Sequence, residues 1–322
     1  MIVDLNLSEE QQLIDDSVRA LLADCLPVDR LREPASYGGA AEHAAWAALA
    51  ELGLFGLGLA EGKGGLGLGV PEEVLVARAL GLHLASPSVI AQMLATHLAT
   101  DDSLRSAFVS GEAHATFANA IDAQSAHLID HDRAEHLVLL SGGVALIARS
   151  AVDDSVPVDG IDETVSLARV SGDFAAVPRG AEADRGSLLL AAYLTGIAQA
   201  TRDMAVSYAG TREQFSQPIG AFQAIKHQCA DMAVRAAAAE AQVFHAAITF
   251  GEGVEIGAEV AAARLLATDA ALSNAKANIQ IHGAMGFTAE CDAHLFLKRA
   301  HLFAVLGSSR SAEQRRLLAG AI

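Results

Sequence analysis

The sequence predicts a mainly α-helical protein with one small β region in its centre, on the basis of three observations. Ala and Leu dominate the composition and aromatic residues make up only 5% of the chain, which favours packed helices over a β-sandwich. Apolar residues recur at spacings of three and four towards both ends of the chain. From Ala115 to Val177, in contrast, β-branched residues and alternating patterns increase.

The N-terminal part predicts four or so helices up to Gly111. Ser8 stands before two glutamates and the first apolar repeat, which is the pattern of an N-cap followed by an acidic first turn. A second helical pattern ends at Gly53, and two further helices are separated at Ser86-Pro87. The glycine-rich stretch 61–69 has neither a preceding strand nor a phosphate-loop pattern, so we interpret it as a connector between helices.

The central part, from Ala115 to Val177, predicts a small set of strands. Two strands are expected to be joined by a turn at Gly142-Gly143, and a second pair of strands to be separated by a break at Gly172-Asp173. His127 and His131 lie four residues apart, which is the spacing of metal ligands on a helix, but this segment runs directly into a strand and no H-E-x-x-H pattern completes it. We therefore predict no metal site.

After Asp184 the pattern is helical again and predicts an antiparallel four-helix bundle. The four helices are expected within residues 187–210, 223–250, 259–283 and 292–306, with a break at the GEGVEIG stretch 251–257. These changes of pattern divide the chain into an N-terminal helical domain (1–111), a reduced β domain (112–180) and a C-terminal bundle (181–322).

Composition and charge exclude several classes of function. The 322 residues and a mean hydropathy of +0.32 allow a large core, and 22 basic against 39 acidic residues give a net charge of −17, which argues against a nucleic-acid partner. Cys25, Cys229 and Cys291 lie far apart and indicate free thiols in a reducing compartment. The acidic N-terminus has no signal-peptide pattern and no apolar run approaches a membrane span, so we expect a cytoplasmic protein without membrane contact.

The stretch from Tyr208 to Arg235 carries the strongest functional signal. It predicts the end of one long helix, then a loop with Pro218 and Gly220, then a second long helix with one buried face. Arg212 stands at the helix end beside this tight turn. A planar guanidinium with five donors, next to exposed backbone N–H groups, can bind a pyrophosphate.

Residues 212–232 read R-x-Q-F-x-x-P-I-G-x-F-Q-x-I-K-H-x-x-A-D-M, which strongly resembles the C-terminal signature of the acyl-CoA dehydrogenase family. A second segment, 280–287, resembles the Q-x-x-G-G-x-G-[FY] element of the same family, with Ala284 in place of the middle glycine. The resemblance extends over nearly the whole chain and implies the family's fold: N-terminal helices, a β domain that is reduced here, and a C-terminal four-helix bundle.

The resemblance also implies a cofactor and a chemistry. Enzymes of this family remove the α-proton of an acyl-CoA thioester with a carboxylate and pass the β-hydrogen as hydride to FAD. FAD is shared between two subunits: one surrounds the isoalloxazine ring, and its neighbour contributes the two motifs around the pyrophosphate and adenosine. The cofactor-binding residues implied for this chain are Arg212, Gln214, Phe215, Gln280, Gly283 and Gly286.

The catalytic carboxylate of the family is missing here, so we expect no catalytic residue. Alignment on Arg299 places Ser308 at one of the two family positions for this base, and counting back from Arg212 places Gly186 at the other. Neither Ser nor Gly can abstract a proton from carbon at neutral pH.

Two nearby acids do not replace that carboxylate in our interpretation. Asp184 is expected to cap a helix, and Glu313 to cap a helix or face solvent. A further departure from the family lies in the β domain, where residues 117–124 read FANAIDAQ in place of the T-E-P-x-x-G-S-D stretch that supports the flavin ring. The resemblance then implies that this chain does not cradle an isoalloxazine.

The leading hypothesis is a FAD-sharing subunit of an α2β2 acyl-CoA dehydrogenase, like the short, base-less subunits of actinobacterial steroid-degrading enzymes. A catalytic partner subunit would supply the base and flavin-ring pocket, a bulky, steroid-derived CoA thioester would be the substrate, and electron-transfer flavoprotein the electron acceptor. Two alternatives stay open: a homo-oligomeric dehydrogenase with Asp184 as a relocated base, and a scaffold that has lost FAD. Lys226, Lys298 and Arg299 could attract CoA, but we expect each at the surface.

Overall fold

The computed structural model describes residues 5–250 and 256–320, and it begins with a helical block. These helices are α1 (Glu9–Cys25), α2 (Ala40–Glu51), α3 (Val70–Leu82), α4 (Pro87–Leu98) and α5 (Asp102–Ser110). The predicted cap of α1 is confirmed: Ser8 Oγ accepts the N–H of Gln11 at 3.1 Å, and the Gln11 side chain accepts the N–H of Ser8 at 3.1 Å. This reciprocal pair satisfies two N–H groups that the first turn leaves free.

The central block is a six-stranded sheet in the described part of the chain. Its strands are β1 (Ala115–Ala120), β2 (Ser125–Ile129), β3 (His136–Ser141), β4 (Gly143–Ala148), β5 (Val156–Pro157) and β6 (Leu167–Ser171), in the spatial order β4-β3-β1-β2-β6-β5. β1 and β3 run parallel and the other neighbours run antiparallel. The predicted meeting of two strands at Gly142-Gly143 is confirmed, because β3 and β4 pair on either side of it.

The second predicted strand pair is wrong, since β6 is followed by a bend rather than by a strand. The side chain of Asp173 accepts the N–H of Ala175 at 3.1 Å, and the N–H of Phe174 donates to Ala123 O at 2.9 Å. These bonds turn the chain so that the Phe174 ring becomes buried in a small core cluster on one face of the sheet. An Asx turn and one buried ring thus override the strand propensity of this segment.

The C-terminal block confirms the predicted four-helix bundle, made of α6 (Ala181–Thr211), α7 (Gln223–Thr249), α8 (Gly257–His282) and α9 (Ala293–Val305). A further helix, α10 (Arg310–Ala319), was not predicted, because its sequence is mostly charged and polar; Ser309 caps it. Residues 251–255 of the predicted break lie outside the described residues.

Helix α6 crosses α3 at backbone distance, which joins the N-terminal block to the bundle. A Cβ on Gly196 of α6 would overlap the carbonyl oxygen of Arg78, and a Cβ on Gly81 of α3 would overlap that of Tyr193. Glycine at both positions permits this approach. One main core cluster accordingly contains residues from all three blocks. The division at residues 111/112 and 180/181 stays a prediction.

Candidate functional site

The two motif segments lie at the same end of the bundle, where α6 and α8 finish and α7 begins. A small apolar cluster holds these three helices together and includes Ala205, Ala209, Met232 and Ile281. Above it, the ring of Tyr208 stacks on His282 with 4.2 Å between centroids. The N–H of Arg212 donates to Tyr208 O at 2.8 Å as the cap of α6. The structure therefore brings Arg212 and the 280–286 element to one end of the molecule.

A tight hairpin follows Arg212. Strands β7 (Glu213–Gln214) and β8 (Gln217–Pro218) are joined by Phe215 and Ser216, which have φ angles of +50° and +63°. Two consecutive left-handed residues form a type I′ turn, which usually contains Asn or Gly because other side chains are strained there. The Phe215 side chain is 88% exposed, so the hairpin presents an aromatic ring to solvent on a tight turn.

The second motif uses its glycines in two different ways. Gly283 ends α8 with a φ of +63° and a ψ of −139°, a conformation that side chains rarely adopt, and a Cβ there would contact nothing. Gly286 is buried, and a Cβ there would lie 2.8 Å from the carbonyl oxygen of Ile279. Gly283 thus reverses the chain at an open surface, whereas Gly286 lets the following turn pack on α8.

Several hydrogen-bond donors at this end are unused within the described residues. The side chains of Arg212 and Gln280 are exposed and have no hydrogen bond there, and the Gln214 amide donates to the carbonyl oxygen of its neighbour Glu213 at 2.8 Å. An unpaired guanidinium beside an open glycine turn can bind phosphate oxygens without breaking another bond. These residues fit the pyrophosphate and adenosine half of FAD.

Both family positions for the catalytic base line one small cavity. Gly186 of α6 and Ser308, which lies after α9, both line a space of about 20 Å³, together with Gly143 and Arg179. A Cβ on Gly186 would lie 3.1 Å from Leu94 Cδ1, so a larger side chain at this position would require Leu94 to move. A space of this size holds about one water molecule and no thioester. Its lining contains no carboxylate among the described residues.

The two nearby acids lie outside that cavity and do not have the roles predicted for them. Asp184 does not cap α6, whose N-cap is Gly180; its Oδ1 accepts from Arg179 Nε at 2.8 Å and from Arg316 Nη2 at 2.6 Å. Glu313 is not solvated, because it is 1% exposed, and its carboxylate lies 3.9 Å from Arg179 and 4.0 Å from Arg316. The same two arginines therefore hold both acids in ion pairs between α6 and α10.

An open groove of about 350 Å³ lies between the β1–β2 turn and the ends of β3 and α9. Three of its polar groups are already engaged: the N–H groups of Ile121 and Asp122 donate to Ser125 O at 2.9 and 3.3 Å, and the Ser141 hydroxyl donates to Phe174 O at 3.0 Å. A hydrogen bond from the Gln124 N–H lowers the pKa of the exposed Asp122 carboxyl, which keeps a negative charge at the rim. These groups do not fit a flavin ring, which needs donors for its carbonyl oxygens and ring nitrogens.

Arg299 is 2% exposed, so the expectation that it lies at the surface is wrong. Its guanidinium donates to Asp162 Oδ2 at 2.5 Å, to Leu84 O at 2.7 Å, to Ala85 O at 2.8 Å, to Thr164 Oγ1 at 2.8 Å and to Tyr193 Oη at 3.0 Å. These partners come from all three blocks. The sequence could not reveal this role, because the partners lie more than 100 positions away.

Asp130 is a second buried group that the sequence did not reveal. It is 2% exposed, has a φ of +47°, accepts from Ser86 Oγ at 2.5 Å and accepts from the N–H of Ser166 at 2.8 Å. Burial raises the pKa of this carboxyl to about 7, against the opposing effect of the two hydrogen bonds.

The histidine pair does not have the helical geometry that its spacing suggests. His127 lies inside β2, and His131 lies beyond that strand with its Nε2 3.1 Å from Ser155 Oγ. Over residues 5–250 and 256–320, no group of three or more His, Cys, Asp or Glu side chains is arranged to bind a metal ion. Within the same ranges, no helix is long and apolar enough to cross a membrane.

Comparison with known proteins adds family information to this geometry. The profile of the acyl-CoA dehydrogenase C-terminal domain matches residues 180–321, and that of the acyl-CoA dehydrogenase N-terminal domain matches residues 8–106. The acyl-CoA dehydrogenase IpdE2 of Mycobacterium tuberculosis is 32% identical over 317 residues, which cover 96% of each protein. The acyl-CoA dehydrogenase FadE34 of the same organism is 34% identical over 276 residues, 80% of this chain but 39% of FadE34. This chain therefore spans well under half the length of FadE34.

Solved structures share the fold over nearly the whole chain. The ChsE4-ChsE5 complex from Mycobacterium tuberculosis matches with a TM-score of 0.81 and 21% identity, over 99% of both chains. A variant of the Tcur3481-Tcur3483 steroid ACAD matches with a TM-score of 0.80 and 21% identity, over 97% of this chain and 99% of that chain. At these identities the likeness shows the fold alone.

Proposed function

The chain belongs to the acyl-CoA dehydrogenase family, and from this premise we propose that it is the non-catalytic, FAD-sharing subunit of a heteromeric acyl-CoA dehydrogenase. Family membership implies FAD as the cofactor. In this proposal a longer partner subunit supplies the carboxylate base and the flavin-ring pocket. This chain supplies the groups around the pyrophosphate and adenosine, in an α2β2 assembly.

One contrast carries the proposal. The two family positions for the base converge on a cavity of about 20 Å³ that has Gly186 and Ser308 in its lining, so the chain has neither the base nor room for a substrate there. At the other end of the bundle, Arg212 and Gln280 keep exposed side chains with no hydrogen bond among the described residues. A chain that lacks the base and the space for substrate, but keeps free donors for the pyrophosphate and adenosine of FAD, fits the role of completing the site of a partner subunit.

The geometry of each residue supports the contribution that we propose for it. FAD, when bound, accepts the hydride that the substrate loses. Arg212 would hold the pyrophosphate through its planar donors, and the side-chain amides of Gln214 and Gln280 would donate hydrogen bonds beside it. The open turn at Gly283 would let the dinucleotide approach the backbone, and the exposed Phe215 ring would offer an apolar surface to it. Gly286 packs closely on α8 and so stabilises the turn that follows Gly283.

The proposed substrate is a bulky, steroid-derived CoA thioester, with electron-transfer flavoprotein as the electron acceptor. The support for the substrate class is the name of one structural neighbour, a steroid ACAD, and the support for a two-component enzyme is the naming of both neighbours as pairs of proteins. A panel of steroid and straight-chain acyl-CoA thioesters, assayed with the co-expressed complex, tests this part. Equal kcat/KM values for both classes would contradict the steroid assignment.

The first test is the visible spectrum of the chain purified alone. We expect a colourless protein that gains flavin when it is co-expressed with a longer dehydrogenase subunit. About one FAD per chain in the isolated protein would contradict the half-site, because this chain would then hold the ring by itself.

The second test is Arg212→Ala in the co-expressed complex. We expect the FAD content to fall by at least about tenfold, since a charge-assisted bond to a phosphate contributes about 1.5–3 kcal/mol. Arg310→Ala is the matched control, because Arg310 is also exposed and pairs with Asp269 far from this end. Unchanged flavin content in Arg212→Ala would favour the alternative of a scaffold that has lost FAD.

The remaining alternative is a homo-oligomeric dehydrogenase that uses Asp184 as its base. It has less support, because Arg179 and Arg316 both donate to Asp184 Oδ1 and the carboxylate does not line the cavity at Gly186. Asp184→Asn should leave the turnover of the complex unchanged. Abolished turnover, with the fold intact by circular dichroism, would support Asp184 as the base.

A further inference from the structure

Within the described residues, α10 buries a single side chain, and that side chain is the carboxylate of Glu313. Neither of its oxygens makes a hydrogen bond to a group in the described ranges. Arg179 Nη1 lies 3.9 Å from Oε1 and Arg316 Nη1 lies 4.0 Å from Oε2, which is too far for a direct hydrogen bond. At such distances a water molecule can bridge two polar groups.

Arg264 of α8 is a second buried charge in this region, with 3% of its surface exposed. Its Nη2 donates to Phe303 O and to Leu306 O, the latter at 3.0 Å, whereas its Nη1 is buried and makes no hydrogen bond to the described part of the chain. Burial lowers the pKa of this guanidinium to about 10, against the opposing effect of the Glu313 charge, so Arg264 stays protonated at neutral pH. A buried charged group that lacks a hydrogen-bond partner is costly, so both side chains require one.

Arg264 and Glu313 line one small void of about 20 Å³ among α8, α9 and α10. A space of at least about 10–15 Å³ holds one water molecule. Arg310 lines the void too, but its charge is paired with Asp269. The carboxylate would repel an anion in this void and the guanidinium would repel a cation, whereas a water molecule can bond to both. The size and the charges of the lining therefore favour water over an ion.

We propose that one water molecule binds in this void and bridges α8 to α10, accepting a hydrogen bond from Arg264 Nη1 and donating one to the Glu313 carboxylate. Its second hydrogen is donated to Thr268 Oγ1, which also lines the void. The Thr268 hydroxyl donates its own hydrogen to Arg264 O at 2.7 Å, so its lone pairs are available. Buried waters typically make about three such bonds. The site does not involve the Arg212 end of the bundle, so this inference does not depend on the proposed function.

The water extends the polar contacts that attach α10 to the bundle. Arg316 already pairs with Asp184 of α6 at 2.6 Å, whereas Leu318 is 66% exposed and buries little apolar surface. The bridge adds a link from Glu313 to α8. Because Ser308 also lines the void, this link lies beside one of the two positions at which the family carries its base.

A crystal structure of the isolated chain tests the site directly. We expect one peak of electron density in the void, within about 3.2 Å of Arg264 Nη1 and of a Glu313 oxygen. A second crystal soaked in bromide separates water from an anion, because bromide gives an anomalous signal. An empty void, a direct hydrogen bond between Arg264 and Glu313, or anomalous density at this position would each overturn the proposal.

Relaxation dispersion of water ¹⁷O checks the site in solution, because it counts the water molecules that stay inside a protein for a long time. Glu313→Met should lose one such water, since it removes the acceptor and adds an apolar side chain. Glu42→Met is the matched control, because Glu42 is also buried but already accepts from Arg30 Nη2 at 2.8 Å and from the N–H of Ser86 at 2.9 Å. Its count should equal that of the wild type.

An equal count of long-lived waters in the wild type and in Glu313→Met would overturn the proposal. The crystal structure of the wild type needs no variant, so it decides the question even if Glu313→Met does not fold.

Discussion

The buried carboxyl of Asp130 makes the stability of this protein depend on pH in a way that one substitution can remove. Its pKa rises from an ordinary value of 3.8 to about 7 because the group is buried. A group with a raised pKa in the folded state binds more protons when folded than when unfolded between these two values. The free energy of unfolding therefore falls as the pH rises from about 4 to about 7, and the contribution of Asp130 is constant above that range.

The magnitude follows from the size of the change in pKa. At about 1.4 kcal/mol per pKa unit, the contribution of Asp130 reaches up to about 4 kcal/mol across this window. Asp130→Asn should remove it. Asn tolerates the positive φ of +47°, its amide oxygen can accept the N–H of Ser166, and its NH2 group can donate to Ser86 Oγ. We expect the variant to resemble the wild type near pH 4 and to be more stable at pH 7.5.

Urea unfolding at half-unit steps from pH 4 to 7.5 measures this effect, with the difference between the free energies of unfolding of the two proteins as the readout. Half-buried histidines such as His43 and His114 have lowered pKa values through burial and produce the opposite slope, but they contribute equally to both proteins. Asp122→Asn is the control, because its carboxyl titrates below this range. If the free energies of unfolding of the wild type and of Asp130→Asn differed by the same amount at every pH, the reasoning would be refuted.

Three further substitutions test the geometry of the site and its support. Ser216→Gly should raise the free energy of unfolding by about 0.5–1 kcal/mol, because glycine relieves the left-handed strain at a φ of +63°; an unchanged urea midpoint would contradict this. Arg299→Leu should lower the free energy of unfolding by about 3–5 kcal/mol in urea unfolding, since it leaves Asp162 buried without its partner. Arg32→Leu, at the exposed pair with Asp292, should lower it by less than about 1 kcal/mol. Gly286→Ala should lower the thermal midpoint through overlap with Ile279 O, and a wild-type midpoint would show that the turn can shift.

Local sequence patterns predicted most of the fold because its elements depend on neighbouring residues. The cap of α1 needs only Ser8 and Gln11, three positions apart, and the bundle helices need only a repeating apolar face. The helix α10 was missed because it has little apolar periodicity. The strand expected after Gly172 was wrong because one buried ring and one side-chain turn decide that segment, and neither has a periodic signal.

The sequence by itself determined the helical fold class, the family, and the absence of a carboxylate at both family positions for the base, since each of these is written in residue types at short spacings. Only the tertiary structure decided that Gly186 and Ser308 line the same small cavity, that Arg299 is buried, and that β4 forms one edge of the sheet. The physical reason is distance along the chain: the burial and ion pairing of Arg299 depend on Asp162, which lies 137 positions away, and no local pattern records such a contact.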